Sequence, residues 1–274
     1  MTASVSRIER FGQAARGVAA RIWPWPCVAG PDELKRGGSG EVVCVIDGDT
    51  VELSDSTMVR LVGIQAPKLP LGRPGFKAWP HAEEARIALE QLCLGRRVGM
   101  RFGGRRVDFN GRRLAHLFVE RDEETVWLQR SMIAEGHARV YSFDDNRSCV
   151  RDLLREEALA RQRGKGLWQL TSYGLLDARD ARQIAGKRGE YHIVEGTVRG
   201  SKSARRRVFI DFGTDWRHDF TAVLPSSALR RFDWERFAPH ELVGQRVRIR
   251  GWIGLKNGPY IDVTHPEQIE RVTG

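Results

Sequence analysis

Three short runs hold the residues whose types and spacing could do chemistry: Asp47-Gly48-Asp49, the stretch from Arg60 to Lys68, and Asp108-Phe109-Asn110-Gly111-Arg112. Hydrolysing a phosphodiester needs charge neutralisation on the non-bridging oxygens, an activated water, and a proton or cation for the leaving oxygen. Guanidinium forks suit the first task, because bidentate contact stabilises a trigonal-bipyramidal phosphate at low reorganisation cost. Each residue also has a plainer reading. Asp49 can be a turn aspartate bonded to its own backbone, Arg60 a strand residue and Arg112 a surface arginine.

Elements must position these runs. Residues 42–46 read as a strand entering the Asp47-Gly48-Asp49 turn, Val51 and Leu53 alternate on the return strand, and residues 59–64 form a third strand. Pro80 opens a helix with Ala85, Ala88, Leu89 and Leu92 on one face, and Gly95 closes it. Strands follow near 98–102 and 113–119. A helix then runs from Trp127 to Gly136, and another carries Val150, Leu153, Leu154 and Ala158, with Trp168 as its anchor. The pattern is mainly β with α, an α+β chain whose first domain is a five-stranded Greek-key barrel of OB type with packed helices.

Taken in order, Asp47-Gly48-Asp49-Thr50, the run Arg60-Leu61-Val62-Gly63-Ile64-Gln65-Ala66-Pro67-Lys68 and the Gly111-Arg112 step resemble the active-site framework of the staphylococcal nuclease (thermonuclease) family over residues 41–168. In that family two aspartates and a backbone carbonyl hold calcium, a glutamate assists the attacking water, and two arginines bind phosphate. The resemblance puts Asp49 at the first ligand aspartate, Ala66 at the carbonyl, and Arg60 and Arg112 at the arginines. It puts Gln65 at the second aspartate and Lys68 at the glutamate. An ammonium about 5 Å from a divalent ion is repelled by on the order of 6–7 kcal/mol at an effective dielectric of 20. Weak calcium sites bind with only about 4–6 kcal/mol. The expectation is a nucleic-acid-binding degenerate nuclease: Asp49 is a vestigial metal position, no cofactor is needed, and Lys68 stands in for the cation. Calcium returns only if that charge argument fails. Two alternatives stay open. One is a nuclease working without calcium, with Asp47, Glu52, His81, His116 or Lys68 as its base. The other is a protein-interaction scaffold. Around the site, Arg105 and Arg106 are further candidate phosphate contacts. Asn110 stands where the family often has an aromatic residue, and Tyr141 and Phe143 where it uses aromatics against the base.

The rest of the chain frames this domain. Residues 1–40 read as an arm and a joint: helical spacing over 1–22 with a Ser6/Glu9 capping pattern, a stop at Pro24 and Pro26, and a flexible Gly37-Gly38-Ser39-Gly40 run. Residues 169–188 read as a linker. Residues 189–274 form a second small OB-like barrel, with Asn257-Gly258 as a hairpin turn. In its fourth strand Val247 and Ile249 alternate with Arg246, Arg248 and Arg250, which predicts one apolar and one cationic face. Those arginines, with Lys202, Arg205, Arg206, Arg207, Trp216 and Tyr260, are candidates for holding a single strand. A net charge of +10 and a pI of about 9.9 suit a polyanionic partner, DNA or RNA. No apolar run reaches membrane-spanning length, and charges interrupt residues 1–30, so the expected location is the cytoplasm. Cys27, Cys44, Cys93 and Cys149 show no metal-ligand spacing and read as buried thiols, with a protein partner left open.

Overall fold

The structure is a computed structural model that describes residues 33–121, 124–233 and 238–272. The arm expected over 1–22 and Cys27 lie outside the described residues.

The first unit contains β1 (Lys35–Asp47), β2 (Thr50–Leu53), β3 (Met58–Leu61), β4 (Gly63–Gln65), β5 (Arg97–Phe102), β6 (Arg113–Arg121), β7 (Glu124–Trp127) and β8 (Arg139–Tyr141). Its helices are α1 (Ala82–Cys93), α2 (Leu128–Ala134) and α3 (Val150–Gln162). Strand order is β3-β2-β1-β5-β6-β7, and the parallel pairing of β3 with β6 closes five of these strands into a ring. This is the OB-type barrel. Ala82, Ala85, Leu89 and Cys93 recur at helical spacing on α1, and all are buried against the barrel. Each fully buried side chain such as Leu89 contributes about 1.5–3 kcal/mol. Gly48 lets α1 approach the Asp47–Asp49 turn. A Cβ at that position would lie 2.6 Å from Ala66 Cβ and 2.7 Å from Ala85 Cβ.

Two expectations fail here for identifiable reasons. The Gly37–Gly40 run is not a joint but part of β1, paired with β5 through Ser39↔Gly99 and Gly40↔Val98. Glycine is needed because the Phe102 ring lies on the strand, and a Cβ on Gly37 would sit 2.3 Å from it. Cys44 is exposed rather than buried. A register shift between Val42 and Cys44 turns Val43 and Cys44 outward together.

The second unit contains β9 (Leu176–Asp177), α4 (Ala181–Ala185), β10 (Tyr191–Thr197), β11 (Gly200–Ala204), β12 (Arg207–Asp211), β13 (Thr221–Leu224), β14 (Arg246–Leu255), β15 (Pro259–Asp262) and β16 (Ile269–Arg271). Its strands run β11-β12-β13-β15-β14-β10-β9, with β16 on β14. The stretch read as a linker supplies β9 and α4, whose Ile184 is fully buried in this core. Asn257 and Gly258 both take positive φ, at 53° and 85°, as a two-residue hairpin turn requires.

The units share a polar, buried seam. Arg250 of β14 is fully buried and pairs with Glu157 of α3 at 2.7 Å and with Glu270 of β16. Arg161 reaches the same carboxylates at 3.0 and 3.5 Å. Arg147 grips Glu267 with two bonds of 2.9 Å, and the Ser142 hydroxyl lies 2.7 Å from His265 Nε2. Arg250 is therefore no part of a cationic surface. The alternation on β14 is real, but the face it creates docks on the first unit at Arg250, while Arg246 and Arg248 pair with Glu195 within the second unit.

Candidate functional site

The Asp47–Asp49 turn, the end of β3 and the loop after β4 bring the charged residues together. Asp49 is fully buried, and its carboxylate is saturated. Ala66 N–H donates to Oδ2 at 2.7 Å, Thr50 Oγ1 donates to Oδ1 at 3.3 Å, and Arg60 Nη1 stands 2.9 Å from Oδ1. Lys68 Nζ lies 2.7 and 2.8 Å from its two oxygens and 3.2 Å from Asp47 Oδ2. The ammonium thus bridges both aspartates. Burial opposes the Asp47 charge, but Lys68, the bonds within the turn and Arg60 outweigh it and hold that carboxyl at about 2. Burial pushes Asp49 up, against Arg60 and Lys68. The two acids share the same cations and titrate as a pair.

Arg60 is further anchored by the carbonyls of Asp49, Leu61 and Ile64, at 3.0–3.2 Å, and keeps only 12% side-chain exposure. Arg112 is held by Asp108, with Nε to Oδ2 at 2.7 Å and Nη2 to Oδ2 at 2.6 Å, and its side chain is 31% exposed. Gln65 turns away from the aspartates. Its Oε1 accepts from Arg139 Nε and Nη2 at 3.1 and 2.8 Å, while Arg139 Nη1 donates to the Tyr191 carbonyl of the second unit at 2.7 Å.

These residues open onto a pocket of about 480 Å³. Asp47, Arg60, Lys68, Arg105, Asp108 and Arg112 give it charge, and Asn110, Tyr141 and Phe143 stand in its wall. Arg106 does not line it and lies 5.1 Å over the Phe102 ring instead. No histidine among the described residues lines it. His116 is buried in the barrel core against Trp127, and burial pushes it down to about 3. His81 faces His137, Nε2 to Nδ1, at 3.0 Å. Among the described residues no three His, Cys, Asp or Glu side chains converge as a metal site.

The second unit's candidates separate. Arg246 and Arg248 both pair with Glu195, Arg248 Nε at 2.5 Å, beside a hollow of about 440 Å³ that also holds Asp177 and Arg179. Trp216, 45% exposed, carries Lys202 and Arg217 over its ring at 5.5 and 4.7 Å. The Tyr260 ring covers Gly254. None of these lines the pocket of the first unit. Sequence reasoning missed Trp252, whose indole Nε1 donates to the Tyr141 hydroxyl at 3.1 Å. Its place on the same alternation as Arg250 was the available signal.

Comparison with known proteins agrees with this geometry. A family model described as staphylococcal nuclease homologue matches residues 58–170, a span holding Arg60, Lys68 and Arg112 and starting just after the aspartate turn. A probable endonuclease LCL3 of Coccidioides posadasii is 36% identical over 133 residues, 45% of this chain and 40% of that protein. Protein ParB of Escherichia coli is 32% identical over 137 residues, 47% of this chain and 71% of ParB. An uncharacterized endonuclease of Escherichia coli is 29% identical over 150 residues, 54% of this chain and 84% of that protein. The chain spans about 40% of the length of the LCL3 relative. No helix among the described residues is long and apolar enough to cross a membrane. With an OB-type barrel carrying the two arginines and the aspartate turn in one pocket, the chain belongs to the staphylococcal nuclease homologue family.

Proposed function

We propose that this chain binds nucleic acid through Arg60, Arg112 and Arg105 and does not hydrolyse it by a calcium-dependent route. The observation that carries the reading is the Lys68 ammonium between Asp47 and Asp49. The donor set does not fit a calcium ion. A carboxylate offers about four lone-pair sites, and on Asp49 they are engaged by Ala66, Thr50, Arg60 and Lys68. Gln65, the other position the family would use, is committed to Arg139. Calcium takes six to eight oxygens, and no such set is presented here while Lys68 bridges Asp47 and Asp49. Arg112, partly exposed at the pocket mouth, presents the fork that a phosphate would take from Asp108.

The names of two relatives favour a second reading, cleavage. One experiment separates the two. Labelled single- and double-stranded DNA and RNA are incubated with calcium, magnesium or EDTA, beside an Asp49→Ala/Arg112→Ala variant. Salt-sensitive binding without cleavage is expected, because phosphate contacts release counterions. Calcium-dependent cleavage lost in the variant would overturn the proposal. Cleavage in EDTA lost in the variant would establish a nuclease working without calcium, whose base is then sought at Lys68 and the pocket aspartates Asp47, Asp108 and Asp145, since no histidine among the described residues lines the pocket.

A further inference from the structure

Three exposed apolar side chains of the first unit gather at the pocket. Leu71, Phe109 and Phe143, exposed by 52%, 94% and 48%, all stand in its wall. Single exposed apolar residues are ordinary, but three on one cationic wall mark a surface built for a ligand with both apolar faces and negative charge.

The second unit continues this wall. Trp252, 47% exposed, meets the Tyr141 ring edge-on with centroids 6.3 Å apart, and Tyr141 meets Phe143 edge-on at 4.7 Å. Phe143, Tyr141 and Trp252 therefore form one chain of ring contacts that starts in the pocket and ends on β14. The buried Tyr191, opposite Trp252 in the ladder, supports the indole at 6.0 Å. Two residues earlier on the strand, Arg250 is locked between Glu157 and Glu270. Trp252 is thus held at a fixed place beside the pocket rather than on a mobile neighbour.

Cationic side chains beside exposed aromatic faces are the requirement for an unpaired nucleic-acid strand, whose phosphates meet the cations while its bases stack on the rings. A duplex keeps its base faces stacked inside and leaves such rings uncovered. We infer that the second unit extends the nucleic-acid site, Trp252 stacking the base of a nucleotide beyond the two that adjoin the phosphate at Arg112. The ligand is then a single strand longer than two nucleotides. This rests on the phosphate-binding reading above, deepened to a strand class and a second-unit contact.

The test compares the full chain with Trp252→Ala, Trp252→Phe and Arg112→Ala, titrated with a labelled thymidine dinucleotide and an oligothymidylate of about ten nucleotides. Trp252→Ala should weaken the longer strand about tenfold and leave the dinucleotide unchanged, while Trp252→Phe stays within a few-fold of the parent. Arg112→Ala should weaken both. Equal affinity of Trp252→Ala and parent for the longer strand, with Arg112→Ala weakened, would overturn the inference and leave the proposed function standing. An equal loss on both lengths would also overturn it, since it would mean that the Tyr141 wall had collapsed. Parent protein that binds neither strand would overturn the proposed function and this inference together.

Discussion

Two clusters in this molecule set two carboxylates against two cations, and their surroundings give them opposite uses. At the pocket, Asp47 and Asp49 meet Lys68 and Arg60, whose side chains keep 20% and 12% exposure. At the seam, Glu157 and Glu270 meet Arg250 and Arg161, with Arg250 fully buried and Arg161 at 10% exposure. The seam cluster is closed by protein on every side and fixes how the units dock. The pocket cluster lies beside further arginines that are less enclosed, and it shapes a surface where an anion can arrive. Composition alone does not distinguish them; burial does.

The largest effect should come from breaking the closed cluster. Arg250→Ala leaves two acids buried without their main partner, and a loss of about 3–5 kcal/mol is expected in urea unfolding. Replacing Arg250, Arg161, Glu157 and Glu270 together by Met and Leu should recover most of it, because desolvation offsets much of what buried pairs gain and no charge is then left without a partner. Failure of that quadruple variant to recover would mean the seam needs its charges for docking, which would sharpen the contrast with the pocket.

Acid should act next, through buried histidines at the seam and in the barrel core. Burial pushes His265 down to about 4 from 6.5, so the folded protein holds it neutral while the unfolded chain takes up a proton below about 6.5. Its contribution is complete above pH 6.5 and falls away as the pH drops to about 4, a loss of about 3 kcal/mol. His116, pushed down to about 3, adds to the same trend inside the barrel. Asp47, held at about 2, gives up its share only between pH 3.8 and about 2. Urea midpoints taken against pH should therefore decline well before Asp47 titrates, and His265→Gln should flatten the upper part of that decline.

At the open cluster the readout changes from stability to binding. Arg112→Ala should cost about 1.5–3 kcal/mol of single-strand affinity, the scale of a hydrogen bond to a charged group, and move the unfolding midpoint little. Smallest of all, Arg246→Ala breaks an ion pair whose arginine side chain is 63% exposed, and less than about 1 kcal/mol is expected in unfolding.

The barrel was legible because its strands alternate cleanly and its helices keep one apolar face. The Lys68 pairing was legible too, since an ammonium placed beside two aspartates has one low-energy partner. Other features left no such trace. β11 reads Gly-Ser-Lys-Ser-Ala, an exposed strand held by backbone pairing to β12, so no side-chain period announces it. Gly37–Gly40 carries the usual composition of a joint, and only the Phe102 ring lying on it explains those residues. Arg250 and Trp252 share one face of β14 yet end in opposite settings. The difference lies in what α3 and β8 bring opposite them, and strand periodicity holds no record of that.

The Arg139 guanidinium, held between Gln65 and the Tyr191 carbonyl, makes any redesign of this pocket depend on the order of its steps. An engineer who restores an acid at position 65 first hands it to Arg139 as an ion pair, and the new charge never faces the aspartate turn. Exchanging Lys68 first leaves two adjacent acids with Arg60 as their main counterion. Changing Arg139 first removes a bond that fastens the second unit. No single substitution moves this site toward a cation cage without a loss somewhere else, so a successful route has to alter positions 65, 68 and 139 in one move.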